Sequence, residues 1–227
     1  MVELIHGLRA ERVRSNLAHA RAQIAATGRD PATVEILAAV KYVPAEELGA
    51  LAEGGLRVVG ENRAQDLAVK AEMYPGRFTW DFIGHLQSRK VRQVLPYVRY
   101  VHSVASDSVL AQLERHAPRD TRVLVEVNVS GEPEKSGVAP GELEAFLGRC
   151  PVAVVGLMTM PPLAGEPEDS RPYFAALREL AGRFELAHLS MGTSQDYVVA
   201  VEEGATIVRL GTTLYGQFGF LGPSSAS

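Results

Sequence analysis

The first residue in the chain placed to do chemistry is a lysine directly behind an apolar run. Lys41 follows Val34-Glu35-Ile36-Leu37-Ala38-Ala39-Val40, and it is one of four lysines (Lys41, Lys70, Lys90, Lys135) against nineteen arginines. A neutral amine attacks carbonyl carbon, and burial beside another cation favours the neutral form. The competing reading is a packed stem whose amine reaches out to water. On position alone the two stand level. Lys70 and Lys90 fall in helical, charge-rich stretches and are expected in solvent. Two late segments offer the complementary chemistry. Val208-Arg209-Leu210-Gly211-Thr212-Thr213 and Ser190-Met191-Gly192-Thr193-Ser194 combine glycine with hydroxyl residues, which leaves backbone N–H groups open to an anion such as phosphate.

Positioning such groups requires a scaffold, and the chain alternates two patterns that make one. An opening helix is expected from Leu4, Leu8, Val13, Leu17, Ala20 and Ile24 at three- and four-residue steps, ending at Gly28. Eight short apolar runs then follow at 34–40, 57–60, 78–83, 99–102, 122–129, 152–158, 187–190 and 206–210. Between them lie amphipathic stretches at 44–53, 62–73, 87–95, 107–116, 140–147, 170–184 and 194–203. Strands separated by helices pair in parallel through right-handed crossovers, and eight units are the number that closes a (β/α)8 barrel. An open doubly wound sheet is the competitor. It usually carries a glycine-rich first turn, whereas Lys41-Tyr42-Val43-Pro44 has no glycine. The expectation is a single α/β barrel domain over 1–221, with an extra N-terminal helix and a disordered tail at 222–227.

In such a barrel the active site lies at the C-terminal strand ends. Those positions carry Lys41, Glu61, Asn62, His85, Ser103, Asn128, Thr159, Ser190 and Arg209. The loops after the last two strands are a frequent phosphate site in these barrels. A phosphate site facing a lysine amine suggests a phosphorylated aldehyde, of which pyridoxal 5′-phosphate is the commonest cofactor.

Composition closes off other classes. Lys and Arg number 23 against 27 Asp and Glu, a net charge of −4, and hydrophobic residues make up 46%. That balance argues against a general nucleic-acid binder. Arg89-Lys90-Val91-Arg92 is therefore read as a solvated helix face. Six histidines without paired spacing give no metal site. A single cysteine, Cys150, and an opening Met1-Val2-Glu3-Leu4-Ile5-His6 without an apolar core point to a reducing cytoplasm. No apolar run is long enough to span a bilayer.

Read together, Ala39-Val40-Lys41, Gly60-Glu61-Asn62-Arg63-Ala64-Gln65-Asp66, Phe82 to Lys90, Val127 to Glu132, Lys135-Ser136-Gly137, Gly156-Leu157-Met158-Thr159, Leu189 to Asp196 and Arg209-Leu210-Gly211-Thr212 give the chain a clear resemblance. It resembles the pyridoxal phosphate homeostasis proteins, single-domain relatives of the alanine racemase N-terminal barrel. The resemblance covers nearly the whole chain. It implies that Lys41 carries pyridoxal 5′-phosphate as a Schiff base, that Asn62 belongs to the cofactor site, that Ser190 and the Gly211-Thr212 turn hold the phosphate, and that Arg209 faces the pyridine nitrogen. Val40 and Thr193 depart from the family's usual residues without removing a group of assigned role.

What such a site would do follows from Arg209. A guanidinium is cationic and only donates hydrogen bonds, so it disfavours a protonated pyridine and weakens the ring as an electron sink. The expectation is a non-catalytic carrier that keeps free aldehyde low and delivers it, with apo-enzymes as recipients and a monomer as its state. The alternative is a slow amino-acid racemase using Lys41 with His85 or Tyr197 as base. A third class is a cofactor-free barrel acting on a sugar phosphate. Lys135, in the loop Glu132 to Gly137, is a candidate to receive the aldehyde when Lys41 is displaced.

Overall fold

The computed structural model describes residues 4–162 and 165–216; the tail expected at 222–227 lies outside them. Eight parallel strands close in sequence order: β1 (Glu35–Ala39), β2 (Val58–Glu61), β3 (Thr79–Phe82), β4 (Val98–Val104), β5 (Arg122–Glu126), β6 (Ala153–Met158), β7 (His188–Thr193) and β8 (Ile207–Leu210). The last pairs with the first through Glu35–Ile207 and Ala38–Leu210, so no edge is left open. The α/β barrel expected from the alternation of patterns is the one observed.

Helices form the outer ring: α1 (Ala10–Ala26), α2 (Leu48–Glu53), α3 (Ala64–Met73), α4 (Val91–Val94), α5 (Asp107–His116), α6 (Leu143–Arg149), α7 (Arg171–Arg183), α8 (Tyr197–Glu202) and α9 (Thr212–Tyr215). The extra first helix buries Val13, Leu17, Ala20 and Ile24 and packs against α2, α8 and α9. Its Asn16 side chain donates to the Leu214 carbonyl at 3.0 Å, tying α1 to the turn that follows β8. Among the described residues no helix is long and apolar enough to cross a membrane.

Three boundaries differ from the sequence expectation, each for a local reason. The helix expected at 87–95 is observed as a 3-10 turn at Ser88–Lys90 followed by the short α4, which ends at Val94 because Pro96 cannot donate to the ladder. β5 stops at Glu126, and the Asn128 side chain gathers the next loop by accepting from Gly131 N and donating to the Glu132 carbonyl. β7 runs on to Thr193, through Gly192 at φ +89, so the turn facing the barrel mouth begins with Ser194, not Ser190.

Alternation along each strand sends every second side chain inward. The largest apolar cluster fills the space between strands and helices, whereas Leu37, Tyr100, Leu124, Met158 and Ile207 form a separate layer inside the barrel. Cavities flank that layer at both ends. One of about 610 Å³ lies at the N-terminal strand ends beside Glu35, Arg99 and His188. The other, about 700 Å³, lies at the C-terminal ends.

Close packing of the second and third βα turns shapes the upper cavity. A Cβ on Gly84 would stand 2.2 Å from the Asn62 carbonyl oxygen. Gly84→Ala should therefore cost about 1–3 kcal/mol and lower the melting temperature by about 2–4 °C per kcal/mol. A thermal melt reads this directly, and an unchanged melting temperature would mean the turns are not in contact.

Candidate functional site

Five of the six residues singled out above meet at the upper cavity: Lys41, Asn62, Arg209, Gly211 and Thr212. Ser190 is not brought there. It lies fully buried on β7, with its hydroxyl between His102 Nδ1 at 2.8 Å and Arg209 at 2.7 Å. Ser194, four residues on, does line the cavity. Its Oγ accepts from Gly211 N and Thr213 N, both at 3.1 Å. Two acceptor positions are thus filled, and its own hydrogen is left to donate.

Lys41 sits at the end of β1, half-buried, with Nζ 4.5 Å from the centroid of the Tyr42 ring. Among the described residues its amine has no hydrogen-bond or ion-pair partner. Lys70 is the opposite case and corrects the expectation of a solvated lysine. It is 5% exposed on the inner face of α3, and its Nζ donates to Glu61 Oε2 at 2.5 Å and to the Val40 carbonyl at 2.7 Å. The other oxygen of Glu61 accepts from Asn62 N at 2.6 Å and Arg63 N at 3.2 Å. One buried ion pair therefore fixes the backbone just before Lys41 and just after β2. Glu61, read from sequence as a polar strand end, serves this clamp. Asn62, held by it, keeps a buried Oδ1 with no hydrogen-bond partner among the described residues. An orphaned buried acceptor is costly unless something else supplies a donor.

Arg209 is 5% exposed. One terminal nitrogen donates to the Ser190 carbonyl and hydroxyl, both at 2.7 Å, and the other to the Thr159 carbonyl at 2.9 Å and Met160 Sδ at 2.8 Å. None of these contacts uses Nε–H. Burial pulls its pKa down to about 10, with the charges of Glu126 and Asp196 opposing that pull, so the group stays cationic at neutral pH. A free amine, a fixed hydroxyl donor, a cation and an orphaned acceptor in one cavity match the chemistry of pyridoxal 5′-phosphate: an aldehyde, an anionic phosphate and a ring bearing acceptor and phenolic groups.

On the rim, His85 is exposed and lines the cavity, and Lys135 reaches the Pro161 carbonyl at 3.4 Å. Tyr197 does not line it: the residue is buried, and its hydroxyl donates to Gln23 on α1. Beneath the cavity floor lie three groups that the sequence reading missed. Asp81 and His102 are fully buried and Arg99 partly so. Each is charged or polar within a short run read as apolar, and that mismatch is the signal that marks them. Burial pushes the Asp81 carboxyl up, but His102 and Arg99 together hold it below the usual carboxylate range. Burial keeps His102 below the usual imidazole range despite Asp81.

Two measurements test these placements. Lys70→Met leaves Glu61 as an uncompensated buried charge and should cost about 3–5 kcal/mol in urea unfolding, part of it recovered by adding Glu61→Gln. A loss below about 1 kcal/mol, the scale of a surface pair, would contradict the clamp. His102 is depressed in the folded state, so its stabilisation is complete above about pH 6.5, the unfolded value. It declines as pH falls below that, because the unfolded chain takes up a proton that the folded chain refuses. The melting temperature should drop from about pH 7.5 to about pH 5, and drop less in His102→Asn. Parallel curves for the two proteins would remove His102 as the cause.

Residues 9–218 match the family model described as alanine racemase, N-terminal domain. The pyridoxal phosphate homeostasis protein of Aquifex aeolicus is 42% identical over 204 residues, covering 84% of this chain and 90% of that protein. That of Pseudomonas aeruginosa is 38% identical, covering 95% and 98%. The solved structure of PipY from Synechococcus elongatus PCC7942, with pyridoxal phosphate bound, superposes with a TM-score of 0.78 at 31% identity, covering 90% of this chain and 100% of that one. The chain belongs to the alanine racemase N-terminal domain family, and within it to the pyridoxal phosphate homeostasis proteins.

Proposed function

We propose that the chain binds pyridoxal 5′-phosphate at the barrel mouth, holds it as a Schiff base on Lys41, and keeps and hands on the cofactor without turning over a substrate. The observation that carries this reading is the Lys41 amine, without a hydrogen-bond or ion-pair partner among the described residues, sharing one cavity with Arg209, Ser194 and the Gly211-Thr212 turn. Kinship with homeostasis proteins and with the ligand-bound PipY supports it. When bound, the cofactor supplies a reactive aldehyde on an electron-withdrawing ring.

The residues divide the work. Lys41 provides the amine and the aldehyde loses its oxygen as water. The Ser194 hydroxyl and the Gly211-Thr212 turn take the phosphate, the role first given to Ser190, whose hydroxyl is spent on Arg209 and His102. Asn62 offers its open acceptor to a donor on the ligand. Arg209, cationic and donor-only, faces the ring nitrogen and keeps it unprotonated. A ring so held is a poor electron sink, which favours storage over catalysis. Apo-enzymes that use the cofactor are the recipients, with Lys135 on the rim as the station for transfer. We place the protein in the cytoplasm as a monomer whose mouth opens to solvent.

The test is spectroscopic. Purified protein titrated with the cofactor should show a visible imine band, lost in Lys41→Ala, and borohydride should fix the label on the Lys41 peptide. A label on another lysine, or an unchanged band in Lys41→Ala, would overturn the assignment. For the racemase alternative the second base would have to be His85, since the Tyr197 hydroxyl is engaged with Gln23. Incubation with L-alanine in deuterated water should leave the α-hydrogen in place; exchange would replace the carrier reading with a catalytic one.

A further inference from the structure

A line of side chains runs through the inside of the barrel from one cavity to the other. Arg99 donates to Glu35 at 2.5 and 2.8 Å and to Asp81 at 2.6 and 3.1 Å. Asp81 Oδ2 meets His102 Nε2 at 3.1 Å, His102 Nδ1 meets Ser190 Oγ at 2.8 Å, and Ser190 Oγ meets Arg209 at 2.7 Å. Glu35 and Arg99 stand at the lower cavity, and Arg209 at the upper one. Asp81, His102, Ser190 and Arg209 lie on four different strands, β3, β4, β7 and β8.

With His102 kept neutral by its burial, the direction of every hydrogen in this line follows. Arg209 can only donate, so Ser190 Oγ accepts from it. Asp81 is ionised between Arg99 and the Tyr100 amide at 3.2 Å, so it can only accept. His102 must then carry its proton on Nε2 to satisfy Asp81, which leaves Nδ1 bare to accept the Ser190 hydrogen. The buried anion thus sets the tautomer, the tautomer sets the serine rotor, and the rotor presents a lone pair to Arg209. An interior filled with apolar side chains would avoid the desolvation of these groups, and the layer just beside them is so filled.

We infer that Asp81 and His102 are positioning residues for Arg209: acting through Ser190, they hold the guanidinium in the orientation in which it meets the ring nitrogen of the cofactor. The inference rests on the proposed placement of Arg209 against that nitrogen. If Asp81 is made neutral, its amide can donate to Nε2 and the proton moves to Nδ1. That proton then points at Ser190 Oγ, both of whose lone pairs are now taken by donors, and the serine hydrogen loses its acceptor inside the barrel.

The experiment uses the whole chain. In cofactor-free protein, nitrogen NMR of the His102 ring should show Nε2 protonated and Nδ1 bare; a proton on Nδ1 overturns the inference whatever the variants do. Asp81→Asn should shift the proton to Nδ1, a readout that a merely space-filling residue would not move. Asp81→Asn and Ser190→Ala should each weaken pyridoxal 5′-phosphate binding, read by absorbance titration, about tenfold or more, the scale for residues that orient a liganding group. The double variant should bind no worse than Ser190→Ala alone, because both cuts break one line. Additive losses, or dissociation constants within about twofold of the parent, overturn the inference. The Ser190→Ala loss should persist with pyridoxal, which lacks the phosphate; its disappearance would return Ser190 to phosphate binding. Arg209→Gln separates the two levels. If it binds like the parent, the placement of Arg209 fails and this inference with it. If it binds weakly while Asp81→Asn and Ser190→Ala bind normally, only this inference fails.

Discussion

A carboxylate with no exposure to water governs the interior of this barrel. Asp81 lies inside a closed ring of strands, where an uncompensated charge would cost several kcal/mol even after relaxation. Its position is tolerable only because Arg99, the Tyr100 amide and His102 surround it. Those partners must in turn be satisfied. Glu35 takes the other face of Arg99, and Ser190 takes the far nitrogen of His102. The buried charge thereby fixes side chains on β1, β3, β4 and β7, and Ser190 hands the constraint to Arg209 on β8. Closure of the sheet makes this possible, because only a barrel lets the inward faces of non-neighbouring strands meet.

A second buried pair performs the equivalent task nearer the mouth. Lys70 and Glu61 bind the last carbonyl before Lys41 and the first amides after β2. The two lysines sit within a few ångströms of one backbone segment and have opposite fates. Lys70 is fully committed to acceptors, whereas Lys41 is left with an aromatic face and open space. A committed lysine cannot act as a nucleophile, and an uncommitted one on a rigid stem can. The clamp therefore makes the difference between them, since it fixes where the stem of Lys41 leaves the strand.

Most of the scaffold was legible because the barrel repeats one pattern eight times, and the helix between two apolar runs identifies both. The strand-end rule pointed to Lys41, Asn62 and Arg209 among its nine positions, the late glycine–hydroxyl turn added Gly211 and Thr212, and all five line the upper cavity. What it missed has one cause: pattern reading locates residues along the chain but not around the strand. Lys70 looks like any charged helix residue until α3 is rotated against β1 and β2. Asp81 and His102 sit in short runs whose overall character is apolar, and only the inward phase of the pleat shows that they face each other. Ser194 lines the cavity and Ser190 does not because β7 continues three residues beyond its expected end, which turns the first serine into the barrel and sends the second to the mouth. A boundary error of that size is harmless in a helix but moves a functional group to another layer in a strand.

The electronic consequence of Arg209 ties interior to function. Burial lowers its pKa to about 10, which still leaves it charged at neutral pH, and its remaining N–H can only donate. A ring nitrogen in front of it keeps its lone pair for that hydrogen bond and gives up its own proton. Carbanion chemistry that uses the ring as a strong electron sink needs the reverse arrangement, a carboxylate partner that keeps the ring protonated. Strengthening the acceptors behind Arg209 makes the guanidinium a better-fixed cation and so moves the site further from catalysis. An interior anion line that ends on this arginine therefore fits the carrier role proposed above.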